Sequence, residues 1–192
     1  MGDGAARIGP NAVLQLIAAL RRRGLSHRLE PLFAEAGLAP LLTAPPESMI
    51  EEASVARLHA AARRMFGEAE ACDLAHEAGR LTGDYLLANR IPRFAPPLLR
   101  RLPGSFAAGL LLRAMARHAW TFAGGGRFAA RLSPRLTIEI VNPLLCAGDA
   151  GPGMRAFYAG AFGRIFGGCL GRPPDFAEVP APPGTCRLAA RR

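Results

Sequence analysis

Residues 135–141 read RLTIEIV, and residues 152–170 read PGMRAFYAGAFGRIFGGCL. In the first stretch Leu136, Ile138 and Ile140 fall on alternate positions, the period-two pattern of a half-buried strand. In the second, Met154, Phe157, Tyr158, Ala161, Phe162, Ile165 and Phe166 recur at helical spacing. Gly171 and Pro173-Pro174 then stop the helix. Residues 121–132 precede the first stretch and carry Gly124-Gly125-Gly126; with Ser133-Pro134 as a turn, they are expected to pair antiparallel with 135–141. Phe176 to Val179 and Thr185 to Ala189 are expected as two more short strands around Pro182-Pro183-Gly184. The second half therefore reads strand–strand–helix–strand–strand.

The first half reads as helices. One covers 9–23, with Pro10 in its first turn and Gly24 as its stop. A short one covers 27–36, and 38–46, with three prolines, is a connector. Residues 48–66 form the best-specified helix: Glu51 and Glu52 lie at its start and Arg63 and Arg64 at its end, matching the helix dipole. Another runs over 68–88, where Gly79 and Gly83 lie four apart and permit close approach of a second helix. Ile91-Pro92 ends it. A short helix at 96–101 and a longer one at 105–120 follow, the latter carrying Ala108, Leu111, Leu112, Met115 and Ala119 on one face. The fold class is α/β in the α+β sense: a helical N-terminal half, then a small antiparallel sheet packed with helices. Residues 1–104 are expected to be a helical region of the same globule as residues 105–192.

Half of the 192 residues are hydrophobic, enough for a core, and no apolar run approaches the ~20 residues that span a bilayer. Residues 1–10 lack the basic-then-apolar layout of a signal peptide, so a cytoplasmic protein is expected, with the membrane surface as a second location. The formal charge is +9, and all 24 basic residues are arginine. Such a chain can meet nucleic acid, an anionic membrane surface or an acidic small molecule. The arginines fall in twos and threes (21–23, 63–64, 100–101) and read as solvated helix faces rather than one stripe. No helix-turn-helix accompanies them, which argues against nucleic acid as the partner. The cysteines, Cys72, Cys146, Cys169 and Cys186, contain no C-x-x-C pair, and reduced thiols are expected.

Few motifs carry chemistry. Gly151-Pro152-Gly153-Met154-Arg155-Ala156 fits G-x-G-x-x-A, but the expected strand ends near Asn142 with a loop between, so the stretch reads as a glycine-rich helix start. Gly124-Gly125-Gly126 lacks the lysine and hydroxyl of a phosphate loop and reads as a hairpin or bulge. Cys72 and His76 have the spacing of a two-ligand half-site without further ligands. His118 borders the apolar stripe of its helix. Trp120 and Phe122 follow it, and Arg113 and Arg117 flank it. An imidazole, two rings and guanidinium groups suit a large, flat, acidic ligand with a metal at its centre; the competing reading is a histidine that caps its helix while Trp120 fills the core. No catalytic residue and no protein metal site is assigned.

The phrases Tyr85-Leu-Leu-Ala-Asn-Arg-Ile-Pro92, Leu102-Pro103 and His118-Ala-Trp-Thr-Phe-Ala-Gly124 resemble the bacteriochlorophyll 4-vinyl reductase family of purple phototrophs. Residues 127–188 resemble the 4-vinyl reductase domain, through Gly160 to Pro173 and through Gly184-Thr185-Cys186-Arg187-Leu188. The resemblance implies an α/β fold shared with ligand-sensing domains of aromatic-responsive activators and with TRAPP-type vesicle-transport subunits, commonly dimeric. It implies that Cys146 and Cys186 match two positions of a metal-binding cysteine cluster, although Val179-Pro180 stand where a further cysteine is expected. It also implies reduction of the 8-vinyl (formerly 4-vinyl) group of divinyl chlorophyllide or its precursor. That chemistry needs a hydride or electron donor, and no donor site can be read from the residues. The expected function is therefore binding and delivery of a Mg-porphyrin or chlorophyllide intermediate, with vinyl reductase and ligand-sensing regulator as alternatives. Mg-tetrapyrrole is the expected ligand, with no intrinsic cofactor. Its site is expected at His118, Trp120, Phe122, Arg90, Arg113 and Arg117. Neighbouring enzymes of bacteriochlorophyll synthesis are expected partners, and a homodimer is expected through the Gly79 and Gly83 face.

Overall fold

The computed structural model describes residues 5–191. The reading of residues 1–10 as free of a signal sequence falls partly on 1–4, outside the described residues. In chain order the elements are β1 (Arg7–Ile8), α1 (Asn11–Arg22), α2 (Leu29–Glu35), α3 (Pro40–Thr43), β2 (Ile50–Glu51), α4 (Glu52–Phe66) and α5 (Glu68–Asn89). Then come α6 (Ala95–Arg100), α7 (Gly104–Arg117), β3 (Arg127–Arg131), β4 (Thr137–Val141), α8 (Gly151–Leu170), β5 (Phe176–Glu178) and β6 (Thr185–Ala190). The class is the expected mixture of helices and antiparallel sheet. β1 pairs with β2, and the larger sheet has the order β3-β4-β6-β5, every pair antiparallel. The alternation of the RLTIEIV stretch does what period two demands. Ile138 faces Leu188 and Ile140 faces Cys186 across β4 and β6, and all four side chains are buried.

Helix α8 packs against this sheet and, on its other side, against α5. It is apolar nearly all round, and Met154, Phe157, Tyr158, Phe162 and Phe166 are buried. The α5–α8 crossing is close because glycines face backbone from both sides. A Cβ at Gly79 would collide with Phe157 O and stand 2.9 Å from Ala161 N. A Cβ at Gly160 would collide with His76 O and stand 3.1 Å from Arg80 N. At Gly83 it would meet the Arg164 side chain at 2.6 Å. The expectation that Gly79 and Gly83 admit a second helix is met, but that helix is the chain's own α8. These glycines therefore offer no surface to a second copy, and the motive they gave for a homodimer falls away.

Several boundaries differ from the sequence reading. Residues 40–43 of the connector form a helical turn started by Pro40. The helix expected from 48 begins at Glu52, because Ile50 and Glu51 are drawn into pairing with Ile8 and Arg7. The strand expected over 121–132 is only 127–131, since residues 119–121 form a 3-10 turn and Gly124, at φ 59°, turns the chain. The stretch 151–156 is the start of α8 and follows a short 3-10 turn, not a parallel strand. Cys146 and Cys186 form a disulfide with Cα atoms 5.4 Å apart. This corrects the expectation of reduced thiols there, and it spends on each other two sulfurs that the family resemblance offers to a metal. Cys72 and Cys169 are free.

The crossing makes a quantitative expectation. Gly79→Ala and Gly160→Ala will each cost roughly 1–3 kcal/mol or more in urea unfolding, because backbone on both sides cannot retreat. Gly104→Ala, where nothing lies within 4 Å of the added methyl, will stay within about 0.5 kcal/mol of the parent. Equal midpoints for all three would refute the close-approach account.

Candidate functional site

Five of the six expected site residues lie on the last turns of α7 and the turn after it, and the sixth, Arg90, ends α5. That helix buries Ala107, Leu111, Leu112 and Met115 and leaves Phe106, Leu110, Arg113 and Arg117 outward, a single row at helical spacing. His118 is the C-cap residue, exposed, with its backbone N–H bonded to Met115 O at 3.0 Å. The next turn is tight. Thr121 N and its hydroxyl both donate to His118 O, at 3.0 and 2.7 Å, and Ala123 N donates to Ala119 O at 2.7 Å. Trp120 stands on this turn 60% exposed. That removes the reading in which it fills the core.

Phe122 goes the other way. Its ring packs edge-on against Phe128 and Phe162, with centroids 5.4 and 5.6 Å away. Trp120 and Phe122 therefore do not form one stacking surface: His118, Trp120, Arg113 and Arg117 are presented outward, and Phe122 anchors the turn from below. Arg90 ends α5, also exposed. Among the described residues, none of Arg90, Arg113 and Arg117 is in an ion pair.

What holds the turn is a polar network that the sequence reading missed. Three successive carbonyls accept from three different elements. Gly9 N donates to Thr121 O at 2.7 Å, Tyr158 OH to Phe122 O at 2.7 Å, and Asn142 Nδ2 to Ala123 O at 2.9 Å. The Asn142 amide also donates to Glu52 Oε2 at 2.9 Å, and its Oδ1 accepts from Leu144 N and Leu145 N. Glu52 Oε2 accepts a further bond from Gly125 N at 2.9 Å. The three glycines 124–126 thus wrap a buried carboxylate: a Cβ at Gly124 would collide with Glu52, one at Gly126 with Val141 O and the Asn142 side chain, and one at Gly125 with Ala6. Tyr158 has its phenol pKa pushed far up, first by burial and then by the Glu52 charge, so it stays a neutral donor. In the sequence Glu52 stands beside Glu51 with nothing to mark it, and only the structure separates the buried carboxylate from the exposed one.

His59, on α4, is a second buried polar group. It is 2% exposed, its ring lies edge-on to Phe157, and Nε2 has no hydrogen-bond partner among the described residues. Burial lowers its pKa from 6.5 to about 4. Gly153 makes room for it: a Cβ there would stand 2.9 Å from Nδ1. Cys72 and His76 lie on α5, and His76 lines a cleft of about 300 Å³ with Arg22, Asp73, Glu77 and Arg80. Burial, then Arg80, lowers the His76 pKa as well. No group of three or more possible metal ligands occurs among the described residues.

With this geometry in place, relatives are informative. Over 163 residues the chain is 40% identical to the bacteriochlorophyll synthase 23 kDa chain of Cereibacter sphaeroides, covering 84% of this chain and 78% of that protein. Over 167 residues it is 42% identical to the Rhodobacter capsulatus protein of the same name, covering 86% and 76%. The chain belongs to the bacteriochlorophyll synthase 23 kDa family. The aligned region takes in most of this chain and about three quarters of each relative. Neither relative's name mentions vinyl reduction. No protein-family profile and no solved structure matches the chain.

Two outcomes follow. Asn142→Ala strips partners from Glu52 and the Ala123 carbonyl, so it will cost roughly 2–4 kcal/mol and alter Trp120 emission in the folded protein. Between pH 7 and 5 the unfolded chain protonates His59 while the folded chain does not. Stability present above pH 6.5 is therefore lost as pH falls toward 4, by up to about 3 kcal/mol for this group. His76 adds a loss of the same sign. His59→Leu will flatten, not abolish, the fall in melting temperature over that range; an unchanged slope would refute the assignment.

Proposed function

We propose that this 23 kDa-family protein binds a Mg-porphyrin or chlorophyllide intermediate of bacteriochlorophyll synthesis and hands it on. Residues 105–192 supply the ligand-binding part, and the helical region 1–104 supports it in the same globule. The observation that carries the reading is the outward display of Trp120, His118, Arg113 and Arg117 on a turn fixed from three sides. A flat, amphiphilic macrocycle with carboxylate groups matches these donors. The indole supplies a face for stacking, the guanidiniums supply forks for carboxylates, and the imidazole supplies a nitrogen for the central magnesium. Magnesium prefers oxygen, so the His118 bond is weak and exchangeable, which suits delivery. The relatives' names support the pathway. An open surface also suits transfer better than a sequestered reaction, which requires exclusion of water. Phe122 acts as the anchor of the turn and Arg90 as a further carboxylate partner.

Titration with Mg-protoporphyrin and with metal-free protoporphyrin tests this. Both will quench the protein's one tryptophan. His118→Ala will weaken the Mg-pigment about tenfold and shift its Soret band, while leaving the metal-free pigment nearly unchanged. Equal effects on both pigments, with a lowered melting temperature, would make His118 a helix cap only. Steady conversion of divinyl to monovinyl chlorophyllide by the purified protein with NADPH alone would replace delivery by vinyl reduction.

A further inference from the structure

The charge of this protein is not spread over it. Residues 85–138 hold nine arginines and no aspartate or glutamate, so the other 15 arginines balance the 15 acids and the formal +9 belongs to this one stretch. These nine arginines are solvent-exposed, as read from the sequence, and the count adds that the excess over acids falls in one stretch. The ion pairs agree. Arg23, Arg63, Arg64, Arg155, Arg164, Arg187 and Arg191 are paired, all outside the stretch, and among the described residues none of the nine within it is.

The same stretch carries the exposed apolar side chains. Of seven large hydrophobic residues exposed among the described ones, six lie in it: Tyr85, Phe94, Leu98, Phe106, Leu110 and Trp120. Their exposure is built in. α6 turns Leu99 toward the core and leaves Phe94 and Leu98 out, while the outer row of α7 runs from Phe106 and Leu110 to Arg113 and Arg117. α6 packs on α7, and α7 packs on β3 and on the Trp120 turn, so the elements that carry these groups are neighbours.

We propose that the side formed by α6, α7 and the Trp120 turn docks on the surface of an anionic lipid bilayer. A second copy would set nine like charges against nine. A folded acidic protein or a nucleic acid would answer the guanidiniums, but neither calls for exposed Phe94, Leu98, Phe106 and Leu110 between them. A bilayer answers both: arginines pair with headgroup phosphates while the apolar side chains enter the headgroup–acyl boundary, with tryptophan at that depth. No helix among the described residues is long and apolar enough to cross a membrane, and the contact proposed is with the surface. The proposal stands apart from the pigment reading, since it concerns lipid alone.

Sedimentation with pigment-free vesicles tests it. The intact protein will pellet with mixed phosphatidylcholine–phosphatidylglycerol vesicles and not with phosphatidylcholine alone, and Trp120 emission will move to the blue. Arg93→Gln with Arg101→Gln will lower partitioning on the order of tenfold or more at low salt. Arg21→Gln with Arg22→Gln, an equal loss of charge on exposed α1 positions, will not. Phe94→Ser with Phe106→Ser, at sites 71% and 57% exposed and so compatible with folding, will also lower it on the order of tenfold. Circular dichroism checks the fold of each variant. Equal binding to neutral vesicles, no binding to anionic ones, or an equal loss from the α1 pair would each overturn the proposal. Undiminished binding of the Phe94 and Phe106 variant would reduce the face to a general polyanion reader and overturn it too.

Discussion

The crossing of α5 and α8 is the constraint from which the rest of the molecule is built. Two helices can approach backbone to backbone only where neither carries a Cβ, and Gly79 and Gly160 each face the other helix's main chain. Closeness at this point lets α8 be covered by α5 on one side and by the sheet on the other. An all-round apolar helix needs such double cover, because any side left open would expose phenylalanine to water. Arg164 adds a peripheral tie to Asp84 at 2.5 Å, beside Gly83. That pair is surface-exposed and contributes little beside the packing.

From α8 the dependence runs outward through Tyr158. Its hydroxyl fixes the Phe122 carbonyl, and the Glu52–Asn142 pair fixes the carbonyl after it. The turn bearing Trp120 is thus held by α8, by the segment after β4, by the start of α4 and, through Gly9, by the segment before α1. Rigid support of this kind lets an exposed aromatic act at a defined place instead of sweeping a loop. The cost is a buried carboxylate and amide, offset by the bonds to Glu52 Oε2 and to both ends of the Asn142 amide.

The elements themselves were largely legible. Period two at 135–141 and period 3.6 at 152–170 survive because both are set by burial on the same core. Glycines 79 and 83 announced a close helix but not whose helix it was; spacing encodes approach and carries no address. The Glu52 network was illegible for a related reason. Nothing local distinguishes Glu52 from Glu51, and its partners Gly125 and Asn142 come from a distant segment. Likewise Trp120 and Phe122 are two apart, and only the 3-10 turn and the Phe128 and Phe162 rings decide that one faces water and the other the core. Cys186, opposite Ile140 in the β4–β6 pairing, is met by Cys146 from the segment after β4, which no cysteine spacing reveals.

The acid-free run from Tyr85 to Ile138 was legible throughout, since it needs only counting along the chain. Its meaning comes from the structure. A surface tuned only for solubility intersperses both signs, because like charges within a Debye length repel and oppose compaction. Elsewhere this protein does intersperse them, with Arg63 between Glu68 and Asp149, and Arg155 against Glu178. Across α6 and α7 it does not, and it adds exposed phenylalanine and leucine, which solubility also disfavours. Both departures occur on the same neighbouring elements, beside the turn that bears the one exposed indole. Folding gains nothing from either, so their common cause lies in what those elements meet, and only a partner that is at once anionic and apolar removes both costs together.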